Sequence, residues 1–198
     1  MRKSEKQKNI ARRTKEDIIE VASHLFSKYT YLGASMSDIA KKLNITKAAL
    51  YYHFNSKADI YKKVLDKIFT ELKSSIENAL GERTIDAKLR RLIKNYIDFG
   101  LEEKNLIRAL MLKISPRKSE INKHITHLRE QIVDLIEPLV KEVFLDKKNI
   151  KKFDSYLVTS LLTGMMDGLL LEYSFLDKEI DSEKISNQII SIIFYRGI

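Results

Sequence analysis

The densest run of side chains able to do chemistry in this 198-residue chain lies between Ser35 and Lys57, SMSDIAKKLNITKAALYYHFNSK. Ser35 and Thr46 stand where two short helices begin. Each brings a hydroxyl and free backbone N–H groups suited to an anionic oxygen. Lys47 opens the second of these helices, where a side chain entering a major groove reaches guanine O6 and N7. Ala48 and Ala49 let such a helix approach closely, and a methyl can touch thymine. Leu50 and Phe54, four apart, form the inner face. Tyr51, Tyr52 and His53 therefore lie largely on other faces, a crowd of exposed aromatics that a purely structural helix would not need. The competing reading for each tyrosine is packing against the preceding long helix. The chemistry on offer is polyanion binding rather than bond-making.

Charge placement agrees. The formal net charge is +9. Residues 1–67 hold fifteen Lys/Arg against seven Asp/Glu, and residues 68–198 hold twenty-one against twenty. A basic module thus precedes a nearly neutral remainder, which points to a polyanion partner for the first third. Residues 1–13 carry Arg2, Lys3, Lys6, Lys8, Arg12 and Arg13 against a lone Glu5. This stretch has no apolar period and reads as a flexible basic arm. Arg12 and Arg13 suit the DNA backbone or a minor groove.

The elements that position these residues are helices. Thr14 reads as an N-cap with Asp17 in the box position. Ile18, Val21, Ala22, Leu25 and Phe26 then form an inward stripe, and Tyr29–Gly33 is the exit. Ser35 with Asp38 opens the next helix, and Asn44 suits the left-handed turn that ends it. Thr46 caps the next, and Ser56 with Asp59 opens a long helix reaching Leu80–Gly81. Further apolar periods run over 85–101, 105–114, 121–143, 150–173 and 182–195. Ser115-Pro116-Arg117-Lys118 breaks the chain, and Pro138 should kink the helix that contains it. The predicted fold is all-α, about nine helices.

From Ser35 to Leu65 the pattern S-M-x-D-I-A-x-x-L-N-I-T-K-x-x-L-Y-Y-H-F-x-S-K-x-D-I-Y-x-x-V-L resembles the DNA-binding module of the TetR family of regulators. The resemblance covers about residues 14–65. It implies three units: a basic arm (1–13), a helix-turn-helix domain (14–56), and a ligand-binding and dimerisation domain (57–198). It also implies that Tyr51, Tyr52, His53 and Lys57 hold phosphates. Two positions depart from the family. Asn44 replaces the usual turn glycine, and Ala48-Ala49 replaces a common Gly-Thr, which removes a hydroxyl from the base-reading face.

For the remaining two thirds the resemblance implies a ligand pocket inside a helical bundle. Candidate lining residues are Phe69, Leu72, Tyr96, Phe99, Met111, Met165, Met166, Leu169 and Tyr173, since aromatic and Met side chains suit an adaptable apolar cavity. Plain core is the competing reading for each. Lys113, Arg117 and Lys118 could hold an anionic head group, such as that of a fatty acyl-CoA, or could simply be a solvated loop. Gly164 and Gly168 would let two helices approach closely. With Ile185, Ile189 and Ile192 they form the candidate homodimer interface, although cover from within the chain would also serve.

Other functions find less in the residues. There is no cysteine, hence no disulfide, thiol catalysis or cysteine metal site. No GxSxG, P-loop or HExxH pattern occurs, so no enzyme and no cofactor are expected. His124 and His127, three apart, suggest a metal pair but read better as solvated. Leu157–Leu171 is too short and polar to span a membrane, and a cytoplasmic location is expected. The reading is a repressor released from a palindromic double-stranded operator by an amphipathic ligand, an acyl-CoA or a hydrophobic drug-like compound. A basic binder of membrane surfaces is the alternative.

Overall fold

The computed structural model describes residues 2–103, 119–145, 154–176 and 181–193, with side chains described from Thr14 onward. Among these residues there are eight helices and no strand. They are α1 (Arg2–Gly33), α2 (Met36–Lys42), α3 (Lys47–His53), α4 (Lys57–Leu80), α5 (Ile85–Glu102), α6 (Ser119–Leu145), α7 (Ser155–Leu176) and α8 (Ser182–Ile193). The helix expected over 105–114 and the Ser115–Lys118 break lie outside the described residues.

α1 starts earlier than expected and turns within the expected exit, Tyr29–Gly33. It starts at Arg2, so the basic stretch is helical rather than an irregular arm and Thr14 lies inside the helix rather than capping it. The absence of an apolar stripe does not oppose helix formation, because Lys, Arg, Gln and Glu are all good helix formers. At the other end the helix kinks at Thr30, whose φ of 62° and ψ of 171° fall in a region nearly reserved for glycine. The turn re-aims the chain so that Tyr31 and Ala34 are buried while Leu32 and Gly33 are exposed.

The next junctions form as the sequence dictates. Ser35 Oγ accepts from the Asp38 N–H at 3.2 Å and the Asp38 carboxylate accepts from the Ser35 N–H at 2.9 Å, a closed capping box. Asn44 takes φ 55° in the turn between α2 and α3. Thr46 Oγ1 accepts from the Ala49 N–H, and Ser56 Oγ from the Asp59 N–H.

α4 is the spine. Its first half packs on α1, where Tyr61 meets Phe26 edge-on at 5.0 Å and Tyr31 at 4.8 Å between ring centres. Its second half packs on α5 and α6. No break in packing falls at residue 56, and one apolar core runs from Ile18 to Ile190. α6 continues through Pro138. α5 and α7 come close at Gly100, where a Cβ would collide with the Leu170 side chain. That is the glycine that sets a helix–helix distance within the chain. Nothing lies within 4 Å of a Cβ placed at Gly164 or Gly168.

Candidate nucleic-acid interface and interior cavity

Thr46, Lys47, Ala48, Ala49, Tyr51 and Tyr52 are all exposed on or beside α3, while Leu50 and Phe54 are buried. The tyrosines therefore stand clear of α1. Tyr52 is 84% exposed, and its ring meets His53 edge-on at 5.1 Å. Ser35 is half-buried, its hydroxyl engaged by Asp38 at 2.6 Å. Hydrogen bonds from the Ser35 hydroxyl and backbone hold the Asp38 carboxyl below its usual range. The Ser35 hydroxyl is thus committed to the cap, and what α2 presents outward is its N-terminal turn. Arg12 and Arg13 lie on the α1 backbone, and their side chains fall outside those described.

Lys57 does not stand with the outward-facing group. Its Nζ donates to the carbonyls of Tyr31 and Ala34, each at 2.8 Å, and lies 4.5 Å from the Tyr31 ring centre. The Lys57 ammonium closes the exit of α1. The reason is geometric: Ser56 starts α4 so close to that exit that Lys57 meets carbonyls first.

In the body, α4, α5, α6 and α7 enclose a cavity of about 50 Å³. Its walls include Phe69, Leu72, Tyr96 and Phe99, four of the nine residues expected there. Met166 is fully buried but not on its wall, and Met111 lies outside the described residues. Met165, Leu169 and Tyr173 line a different space, an open groove of about 680 Å³ between α7 and α8. They belong to the opposite face of α7, which a list drawn on residue type could not separate. Lys113, Arg117 and Lys118 lie outside the described residues.

The cavity holds polar groups that the sequence reading missed. Asp167, 4% exposed, accepts from the Tyr96 hydroxyl at 2.8 Å and pairs through its other oxygen with the Arg129 guanidinium. Burial, followed by the Asp167 charge, pushes the Tyr96 phenol well above its ordinary value, so it stays protonated. Burial is the strongest influence on Arg129 and opposes its charge, yet the Asp167 charge, Tyr96 and the Asp167 hydrogen bond together leave the guanidinium raised. Thr163, also on the wall, directs its hydroxyl to the Thr159 and Ser160 carbonyls. One signal for this cluster was available. A lone Asp inside an apolar helix requires a partner.

Along α7 a stripe of Leu157, Leu161, Gly164, Gly168 and Phe175 is exposed. This helix is covered on its other side, where Thr159, Leu162, Thr163, Met166, Asp167 and Leu170 are buried. Of the isoleucines of α8, Ile192 is 70% exposed and Ile185 half-buried, whereas Ile189 is buried within the chain. Ile189 thus serves this chain's own core.

His124 Nε2 meets Asp66 Oδ1 of α4 at 2.7 Å, a carboxylate partner that sequence spacing did not reveal. His127 faces Gln131 and Glu130. Among the described residues no three His, Cys, Asp or Glu side chains are grouped to hold a metal ion. No described helix is long and apolar enough to cross a membrane.

A family model described as "Bacterial regulatory proteins, tetR family" matches residues 18–64, from α1 into the first third of α4. The chain is similar to the biofilm operon icaADBC HTH-type negative transcriptional regulator IcaR of Staphylococcus aureus strain Newman. The two are 36% identical over 141 residues, 69% of this chain and 72% of that one. In fold it is similar to the fatty acid degradation regulator FadR of Bacillus halodurans, with a TM-score of 0.79 at 17% identity over 92% of this chain and 95% of that one. It is also similar to FadR of Bacillus subtilis in complex with stearoyl-CoA, with a TM-score of 0.77 at 18% identity over 90% and 97%.

Proposed function

We infer, from the premise that this chain belongs to the tetR family of bacterial regulatory proteins, that it is a transcriptional repressor released from a palindromic operator by a small amphipathic ligand held between α4, α5, α6 and α7. The observation that carries this reading is the reach of α4. One uninterrupted helix of 24 residues packs beside α1 at its start and supplies Phe69 and Leu72 to the cavity wall near its end. A ligand that favours a different tilt of α4 thereby favours a different placement of α3. It shifts the balance only by its differential affinity for the two placements.

Lys47, Ala48 and Ala49 read bases, and Tyr51, Tyr52, His53 and the N-terminal turns at Ser35 and Thr46 hold phosphates, with Arg12 and Arg13 beside them. One seven-residue helix reads few bases, so the protein acts as a homodimer whose two heads enter major grooves about 34 Å apart. The exposed stripe of α7, with Ile185 and Ile192 of α8, is the surface that a second copy covers. A cytoplasmic location is part of this reading.

The ligand class divides two ways. A fatty acyl-CoA draws on the likeness to a FadR crystallised with stearoyl-CoA, a likeness that speaks to the fold. A hydrophobic drug-like inducer, with control of an efflux or detoxification gene, draws on the aromatic wall with its few polar groups, and Asp167 favours this second reading. The test is fluorescence anisotropy on a duplex selected from random sequence. The protein should bind as a dimer and leave the duplex as ligand saturates the cavity. A ligand that saturates the protein without changing duplex affinity would end the induction reading.

A further inference from the structure

We propose that the interior cavity selects a cationic amphipath, an ammonium carried on an apolar body, which replaces the Arg129 guanidinium on Asp167. The proposal rests on the reading of this cavity as the effector site and names the chemistry it takes.

Space is the first constraint. Known ligand pockets span about 300–1,000 Å³, whereas this cavity encloses about 50 Å³. A wall residue must leave before an organic ligand enters. Nine of the ten wall residues are buried or half-buried. Arg129 is the exposed one, with 43% of its side chain open to solvent. Its guanidinium both fills the cavity and can swing into water, where hydration compensates the lost contact.

Charge is the second constraint. Asp167 cannot follow. It is 4% exposed, sits in the middle of α7, and is held by the Tyr96 hydroxyl. Once Arg129 departs, Asp167 is a buried carboxylate without a counter-charge, a state that is strongly unfavourable. A ligand ammonium restores the pair and keeps the cavity neutral. An anionic ligand would add a second negative charge beside Asp167. A neutral one either leaves Asp167 bare or finds Arg129 still in place. Phe69, Tyr96 and Phe99 on the wall offer ring faces that attract a cation. The Tyr96 hydroxyl goes on donating to Asp167 before and after the exchange.

The test is calorimetric titration of the full chain with octylammonium chloride, octanol and sodium octanoate, which share one apolar body and differ in charge. Octylammonium should bind about tenfold more tightly than octanol, with octanoate weakest, as one charge-assisted contact implies. Asp167→Asn should bring the three within about threefold of one another. Arg129→Gln, which removes the competing cation and leaves Asp167 intact, should raise octylammonium affinity more than octanol affinity. If Asp167→Asn does not fold, Arg129→Gln decides, and weaker octylammonium binding there overturns the exchange. Octanol or octanoate equal to octylammonium overturns the cation preference and leaves the cavity as effector site. Failure of all three to bind overturns both readings together.

Discussion

The ammonium of Lys57 lies 2.8 Å from the carbonyl oxygen of Tyr31 and 4.5 Å from the centre of its ring. With the Ala34 carbonyl at 2.8 Å, this contact ties the first residue of α4 to the exit of α1. It does so next to Thr30, whose backbone conformation costs about 1–3 kcal/mol. The lysine therefore holds a strained turn closed. Lys57→Ala should lower stability by about 2 kcal/mol, the scale of a hydrogen-bonded charge, and shift the denaturant midpoint. The salt dependence of DNA binding, measured on protein that remains folded, should keep its slope. A slope reduced by about one phosphate's worth would return Lys57 to the DNA surface.

Lys47 is the contrasting case. It is exposed at the first turn of α3. Lys47→Ala should change which duplexes are preferred in a selection experiment. Tyr52→Phe, which keeps the ring and removes the hydroxyl, should weaken all duplexes alike. An unaltered preference after Lys47→Ala would confine base reading to the small Ala48 and Ala49 surface.

Ser35 and Asp38 form a reciprocal cap whose hydrogen bonds hold the Asp38 carboxyl below its usual range. A carboxyl depressed on folding contributes stability above its unfolded value and loses it as pH falls through the folded one. Ser35→Ala should therefore lower the melting temperature near neutrality, as loss of an N-cap does. The difference from the parent protein should shrink in acid, as followed by thermal unfolding across pH. A penalty that grew on acidification would contradict the cap as described.

The Tyr61 hydroxyl is fully buried and has no hydrogen-bond partner among the described residues. Burial, then the neighbouring Tyr31, raises its phenol far above the ordinary value. Since an unsatisfied buried hydroxyl costs about 1–3 kcal/mol, Tyr61→Phe should raise the melting temperature with the ring contacts to Phe26 and Tyr31 kept. A lower melting temperature would mean that the hydroxyl is satisfied.

Leu157 and Leu161 stand one turn apart on the exposed stripe of α7, 55% and 57% open. Leu161→Glu should leave the fold intact and yield a monomer by sedimentation, with operator affinity falling by orders of magnitude because one head is left to bind. A Leu161→Glu protein that still sediments as a dimer would move the interface elsewhere.

The head was legible because its determinants are local. The caps at Ser35, Thr46 and Ser56 and the left-handed Asn44 act over three or four residues, within reach of sequence spacing. The exit of the first long helix within Tyr29–Gly33 was legible too, but the conformation Thr30 takes there was not, since no glycine marks it. The cavity was half legible. Phe69, Leu72, Tyr96 and Phe99 announce themselves by type, but Arg129 and Asp167 meet across α6 and α7, separated by 38 residues. Helix register alone decides that Met165 and Leu169 turn toward α8 while Asp167 between them turns inward.

Leu72 on the cavity wall and Lys57 at the head lie fifteen residues apart on one helix, a lever arm of about 22 Å at 1.5 Å per residue. Tilting such an arm by 10° displaces its far end by about 4 Å. Two arms leaning in opposite senses change the span between heads by about 8 Å, a quarter of the distance between successive major grooves. The magnification comes from helix length alone, so in the proposed homodimer a tilt of a few degrees at the cavity is of the right size to spoil the fit of both reading heads.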